Sequence, residues 1–157
     1  MPAKVHLICG KIASGKSYYA RSLSAREGAV LLSCDEITLL LPDLKERHDA
    51  VTGAIRGLLM EKAAVIARGG CPVILDWGFW TDSYRRETAA YFEKRQVPVR
   101  WHYIDVSDET LRRHIAERNA RQGESAYFVD EGLLGKCLSL FEAPKRQEMD
   151  EWIVPEA

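Results

Sequence analysis

The sequence predicts a three-layer α/β fold: a parallel sheet with helices on both faces. Three observations carry this. Apolar runs alternate with segments of helical spacing along the chain, the pattern of successive β-α-β units. The run Ala29–Ser33 is continuously apolar rather than alternating, as a strand buried on both faces is. The first run, Val5–Cys9, leads straight into Gly10-Lys11-Ile12-Ala13-Ser14-Gly15-Lys16-Ser17. That is G-x-x-x-x-G-K-S, the phosphate-binding P-loop, which joins a strand to a helix.

The spacing of this loop has a mechanism. Gly10 and Gly15 lack a Cβ, so the backbone can wrap closely and turn its N–H groups inward as an anion nest. Lys16 can reach the β- and γ-phosphates, and the Ser17 hydroxyl is a Mg²⁺ ligand in such loops. The helix that begins here adds its positive N-terminal dipole. A chance glycine-rich turn is the alternative, and the strand before and helix after the loop argue against it.

The elements follow in order. The first helix runs from about Gly15 to Arg26, with Tyr19, Leu23 and Arg26 on one face, and Gly28 ends it. The second strand, Ala29–Ser33, leads into Cys34-Asp35-Glu36. A long helix covers about Arg47 to Arg68, where Val51, Ile55, Leu58, Leu59 and Ile66 keep helical spacing. Gly69-Gly70 stops it, and Pro72–Asp76 is the third strand. Thr81 or Asp82 caps a helix that reaches about Arg95. Val99–Val106 is the fourth strand, and Ser107 caps the next helix, with Asp108 and Glu109 in its first turn. A loop from Gly123 to Tyr127, a helix over about Asp130–Leu140 and a short last strand at Trp152–Val154 complete the chain.

The 157 residues suit a single domain over 1–157, and 46% hydrophobic residues can build a core. A net charge of −1 gives no global field to attract nucleic acid or a membrane surface. Cys9, Cys34, Cys71 and Cys137 show no C-x-x-C spacing, so buried, reduced thiols in a cytoplasmic protein are expected. The first residues carry no signal-peptide pattern, and no apolar run approaches the ~20 residues of a membrane span. Oligomeric state stays open.

In an open parallel sheet, ligands lie beyond the C-terminal ends of the strands. Asp35 ends the second predicted strand and Asp76 the third, so both carboxylates are expected on the edge that holds the P-loop. Asp76, after an apolar run, reads as a Mg²⁺-holding acid, with a turn or cap aspartate as the alternative. Asp35 reads as the base that takes a proton from an attacking hydroxyl, with a helix N-cap as the alternative and Glu36 as its understudy. Arg118 and Arg121, at i,i+3 spacing beside the Gly123 loop, read as a mobile lid over the phosphates; Arg112 and Arg113 read as a solvated helix face. Trp77, Phe79 and Trp80 either pack in the core or wall an acceptor pocket.

Together, Gly10–Ser17, Asp35, the stretch Val73–Trp80 with Arg85, and Leu111-Arg112-Arg113-His114 with Arg118-Asn119 resemble one family. It is the P-loop phosphotransferase group that contains chloramphenicol phosphotransferase, the polynucleotide 5′-hydroxyl kinases and the zeta-toxin kinases, whose members are often labelled AAA-family ATP-binding proteins. The likeness covers about residues 4–121. It implies ATP and Mg²⁺, a sheet of order 2-3-1-4-5, and transfer of the γ-phosphate to a hydroxyl. It puts the acceptor-activating acid on Asp35, acceptor positioning on Asp76 and Arg85, and the lid arginine on Arg118. It also makes Phe141-Glu142-Ala143-Pro144 the segment that passes the adenine. His114 departs from the pattern, since many relatives carry Arg there, and the little chain after Val154 would leave the adenine site less enclosed.

The expected nucleotide site is thus Gly10, Lys11, Ile12, Ala13, Ser14, Gly15, Lys16, Ser17 and Tyr18, with Arg118 and Pro144. The catalytic set is Lys16, Asp35 and Arg118; the acceptor set is Asp35, Asp76, Trp77, Phe79 and Arg85; the metal ligands are Ser17 and Asp76. The activity these imply is ATP-dependent phosphorylation of a small-molecule hydroxyl. A nucleic-acid 5′-hydroxyl kinase and a regulatory ATPase without an acceptor are the alternatives. No N-K-x-D motif supports a guanine-specific switch.

Overall fold

The computed structural model describes residues 1–41, 47–121 and 129–155. Five strands, β1 (Val5–Gly10), β2 (Val30–Leu32), β3 (Val73–Gly78), β4 (Val99–Ile104) and β5 (Glu151–Ile153), form a sheet in the order β2-β3-β1-β4-β5. Every pairing is parallel. The order is the one implied by the family resemblance, and it puts the C-terminal ends of the strands on one edge. The helices among the described residues are α1 (Lys16–Glu27), α2 (Cys34–Leu39), α3 (His48–Arg68), α4 (Asp82–Lys94), α5 (Asp108–Arg121) and α6 (Glu131–Leu140).

The pleat divides the core in two, because successive strand residues face opposite sides. Val5, Leu7 and Cys9 of β1, Leu75 and Trp77 of β3, and Trp101 and Tyr103 of β4 pack with Leu59, Ala63 and Ala67 of α3 and Phe92 of α4. Ile8, Ile74 and Ile104 face the other way, toward Ala20 and Leu23 of α1 and Leu111 of α5. Helices therefore cover both faces, and the central strands β1 and β3 are buried along their whole length.

Several boundaries differ from the sequence reading, each for a physical reason. The second strand is shorter, Val30–Leu32, and only partly covered, because β2 is an edge strand with a neighbour on one side. Cys34-Asp35-Glu36 does not continue it. These residues open α2, a six-residue helix with Ser33 at its N-cap. Asp35 is thus in a helical first turn rather than at a strand end. Ser33 followed by two acids is a helix-start signal that the sequence reading passed over. β3 extends past Asp76 to Gly78, so this carboxylate belongs to the strand itself. β4 stops at Ile104, and β5 begins one residue earlier than expected. The caps at Thr81 and Ser107 are as read: each hydroxyl accepts from the backbone N–H three residues on.

A buried polar chain crosses the α1 face near the N-terminal ends of the strands. Nδ1 of His6 lies 2.9 Å from Nε2 of His102, and the Tyr19 hydroxyl lies 2.8 Å from Nδ1 of His102. These groups border an open cavity of about 590 Å³ that Lys4, Arg26, Glu27, Arg100 and Glu151 also line. Burial lowers both His6 and His102, which favours the neutral form of each ring. The pair rests on burial without charge.

Candidate functional site

The P-loop closes as its sequence requires. Gly15 stands at φ 96° as the N-cap of α1, a left-handed conformation that favours glycine. A Cβ on Gly10 would fall 2.7 Å from Ser14 Oγ and 3.3 Å from Lys16 Cγ, so the loop is folded too tightly for a side chain there. Ser14 is buried and its Oγ has no hydrogen-bond partner. Lys16 Nζ donates to the Lys11 carbonyl at 2.6 Å. A tight glycine cradle, an unpaired buried hydroxyl, a lysine and a helix N-terminus suit a polyphosphate, which supplies acceptor oxygens and negative charge.

Three further elements bring charges to this loop. Asp35 from α2 and Asp76 from β3 both bear on Lys16, and Arg118 from α5 bears on Lys16 and Asp35. Burial lowers Lys16 to about 8, while the charges of Asp35 and Asp76 oppose that fall. Burial, then the charge of Asp35, raises Asp76 to about 6, with Ser33 and Lys16 acting the other way. Burial also lowers Arg118, against the pull of Asp35. The four side chains that the sequence reading singled out for chemistry are thus electrostatic neighbours.

A family model described as an AAA domain matches residues 5–144. The chain is a member of the AAA domain family. No curated protein matches it. Among solved structures, a sugar kinase from Janibacter sp. HTCC2649 is similar with a TM-score of 0.67 at 20% identity, covering 98% of this chain and 85% of that one. A gluconokinase from Sinorhizobium meliloti 1021 has a TM-score of 0.72 at 17% identity, covering 98% and 82%. The Mycobacterium tuberculosis APS kinase CysC, solved in complex with AMPPNP and APS, has a TM-score of 0.72 at 15% identity, covering 99% and 90%. These likenesses establish that the AAA domain here has the fold of P-loop kinases.

The other expected site residues divide. Ser17 is exposed at the start of α1, beside the loop. Lys11 pairs with Asp108 of α5 at 3.0 Å, with its ammonium 5.9 Å from the centre of the Phe141 ring. The segment 141–144 is thereby set against the P-loop. The Glu142 N–H donates to the Trp80 carbonyl at 2.7 Å, and Pro144 is buried. Ile12 and Ala13 pack against the cluster of Ile115, Val129 and Leu134. Tyr18 is 77% exposed.

Trp77 and Phe79 pack in the apolar core. Both are buried, with Phe79 2% exposed and packed edge-on against Tyr84 and Trp101. Alternation along β3 sends Trp77 to the α3 face, opposite Asp76. Arg85 is 4% exposed, and its Nη1 donates to the Phe79 carbonyl at 2.8 Å. In this structure it is a strut beneath the end of β3. Arg121 is exposed at the end of α5, and the expected hinge loop Gly123–Tyr127 lies outside the described residues. Arg112 pairs with Glu131 at 2.8 Å on the surface, as a solvated face would.

Two contacts of the P-loop were missed. Trp80 Nε1–H donates to the Gly10 carbonyl at 3.1 Å. A Cβ on Gly78 would lie 2.6 Å from that Nε1 and 3.0 Å from the Gly10 oxygen, so only glycine admits the contact. His114 Nδ1 lies 3.1 Å from the Ala13 carbonyl. The residue that departs from the family's arginine thus fastens α5 to the P-loop instead. Asn119 holds the main chain of Val129 by both its N–H and its carbonyl, joining α5 to the segment before α6.

Proposed function

We propose that this AAA domain is an ATP-dependent kinase that moves the γ-phosphate to a hydroxyl of a small molecule. The observation that carries the reading is the convergence of Lys16, Asp35, Asp76 and Arg118 around one P-loop. A nucleotide hydrolase needs the loop and a cation. A carboxylate brought in by a separate helix, α2, adds what a hydroxyl acceptor requires.

The roles follow from the chemistry. The P-loop N–H groups and Lys16 hold the β- and γ-phosphates. Ser17 and Asp76 would hold Mg²⁺, which when bound would supply positive charge to offset that of the transferring phosphate. The donor set fits, since a hydroxyl and a carboxylate are the oxygen ligands that a hard cation takes. Asp35 orients the acceptor hydroxyl and accepts its proton as its oxygen bonds to phosphorus and the bond to the ADP oxygen breaks. Arg118 stabilises the charge that develops on the transferring group. The segment 141–144 passes the adenine.

The structural neighbours named a sugar kinase, a gluconokinase and an APS kinase support a kinase reading, and the net charge of −1 favours a small acceptor over a polymer. All four cysteines are unpaired, as in a reducing cytoplasm. Among the described residues no helix is long and apolar enough to cross a membrane.

The test is ATP labelled at the γ-phosphate, offered with sugars, nucleosides, antibiotics and 5′-hydroxyl oligonucleotides. The wild type is expected to label a small molecule and Lys16→Ala to lose nearly all transfer. Transfer by Lys16→Ala close to the wild-type rate would refute the P-loop assignment.

A further inference from the structure

Arg56 has no use in the chemistry above, yet it stands beside it. It lies on α3, and its guanidinium carbon is 5.9 Å from the ring centres of both Trp77 and Tyr84. It also lies against the thiol of Cys34, whose pKa it holds down against burial. Cys34 precedes Asp35 in α2, and Trp77 follows Asp76 in β3. Arg56 is therefore fixed between the elements that supply the two candidate acceptor-side carboxylates.

Its polar atoms are only partly matched by the protein, since the Cys34 thiol is a hydrogen-bond partner of the guanidinium. Nε of Arg56 is buried with no hydrogen-bond partner. One turn earlier on the same helix face, Thr52 Oγ1 is also buried and unpartnered. Among the described residues, no carboxylate lies within ion-pair distance of Arg56. An arginine cannot shed its charge, so a half-buried guanidinium with two aromatic neighbours and no anion is only partly compensated. Cation–π contacts at this range offset some of the desolvation; a planar anion would satisfy the fork as well.

We infer that Arg56, assisted by Thr52, binds an anionic group of the acceptor, so that the substrate class is a hydroxylated carboxylate or phosphate ester rather than a neutral polyol. This rests on the kinase reading for the hydroxyl end of the acceptor. The negative end goes to Arg56, over the edge of the Trp77–Tyr84 pair, while the hydroxyl goes to Asp35. Asp35 and Asp76 repel a second negative charge from their own side, which fixes which end of the molecule enters first.

The test separates this from the kinase reading by measuring binding apart from transfer. Protein saturated with AMPPNP and Mg²⁺, so that the P-loop is filled, is titrated with gluconate and glycerol phosphate, and with glucose and glycerol as neutral partners. Isothermal calorimetry gives the affinity. At least one anionic probe is expected to bind the wild type saturably, with its neutral partner weaker. Arg56→Gln should lose about 10- to 100-fold in affinity for that anion, with no comparable change toward the neutral partner. Arg56→Lys should recover part of the loss, keeping the charge without the fork. Melting temperatures exclude unfolding as the cause. Equal binding of neutral and anionic probes, no binding of any anion by the wild type, or an Arg56→Gln protein that is less stable yet binds the anion as before would each overturn the inference. Arg56-dependent binding without labelled product would sustain it while the kinase reading fell.

Discussion

Acid should weaken this protein through its histidine pair. His102 is 2% exposed and sits between His6 and Tyr19. Burial, then the neighbouring charges of His6 and Arg100, lowers it from 6.5 to about 4, against Glu151 and Asp150. His6 is lowered as well, mainly by burial, with Glu27 opposing and Arg100, Lys4 and Arg26 assisting. The sign follows from linkage. Between 6.5 and about 4 the unfolded chain binds a proton that folded His102 refuses. Stability is therefore full above about pH 6.5 and declines as pH falls toward 4. At about 1.4 kcal/mol per pH unit, that interval corresponds to on the order of 3 kcal/mol, a large share of the roughly 5–15 kcal/mol of an ordinary domain. Asp76 acts in the opposite sense. Raised to about 6, it takes up its proton first in the folded state and so adds stability as pH falls through that value. Urea unfolding of the wild type and of His102→Gln across this range isolates the histidine, because the Asp76 contribution cancels in the difference. The wild type should lose stability more steeply than the variant. Parallel curves for the two proteins would refute the reasoning.

Two other substitutions probe the loop and the lid. Gly78→Ala puts a methyl group 2.6 Å from Trp80 Nε1 on a residue at φ 88°, which costs on the order of 1–3 kcal/mol; melting temperature and nucleotide affinity should both drop, and no change in either would contradict the Trp80–Gly10 account. Arg118→Ala should lower kcat by about 10²- to 10³-fold with a smaller change in ATP affinity, since its charge is needed most in the transition state; steady-state kinetics with an affinity measurement decide, and an equal fall in both would make it a ground-state binding group.

The fold was legible because its signals are periodic. Continuous apolar strands, helices with apolar faces and the P-loop between the first pair leave few arrangements, and the resemblance chose the strand order that the structure has. Lys16, Asp35, Asp76 and Arg118 were legible for a related reason: a parallel sheet gathers loops and strand ends at one edge, so residues distant in sequence could be placed together. Side-chain direction was harder to read. Trp77 and Phe79 follow Asp76, yet the pleat and a left-handed φ of 49° at Phe79 return both rings to the core. Arg85 has an acceptor-binding sequence context but is turned beneath the strand, where the Phe79 carbonyl receives it. Trp80, His114 and Arg56 act through contacts across the fold that no local pattern encodes. A helix of six residues, α2, is too short to show a period, and only its cap and acids announce it.

Asp35 is where the kinase account is most exposed. Substitution by Asn keeps the shape and removes the basicity of the carboxylate. As a general base Asp35 contributes about 10²–10⁴-fold; as a mere first-turn residue of α2 its loss as Asn would cost a few tenths of a kcal/mol in helix-dipole interaction. Phosphate transfer to the identified acceptor, AMPPNP affinity and melting temperature are measured on the same Asp35→Asn preparation. The account predicts that transfer collapses by that factor while nucleotide binding and melting hold. Transfer at the wild-type rate, with binding and melting also unchanged, would contradict it.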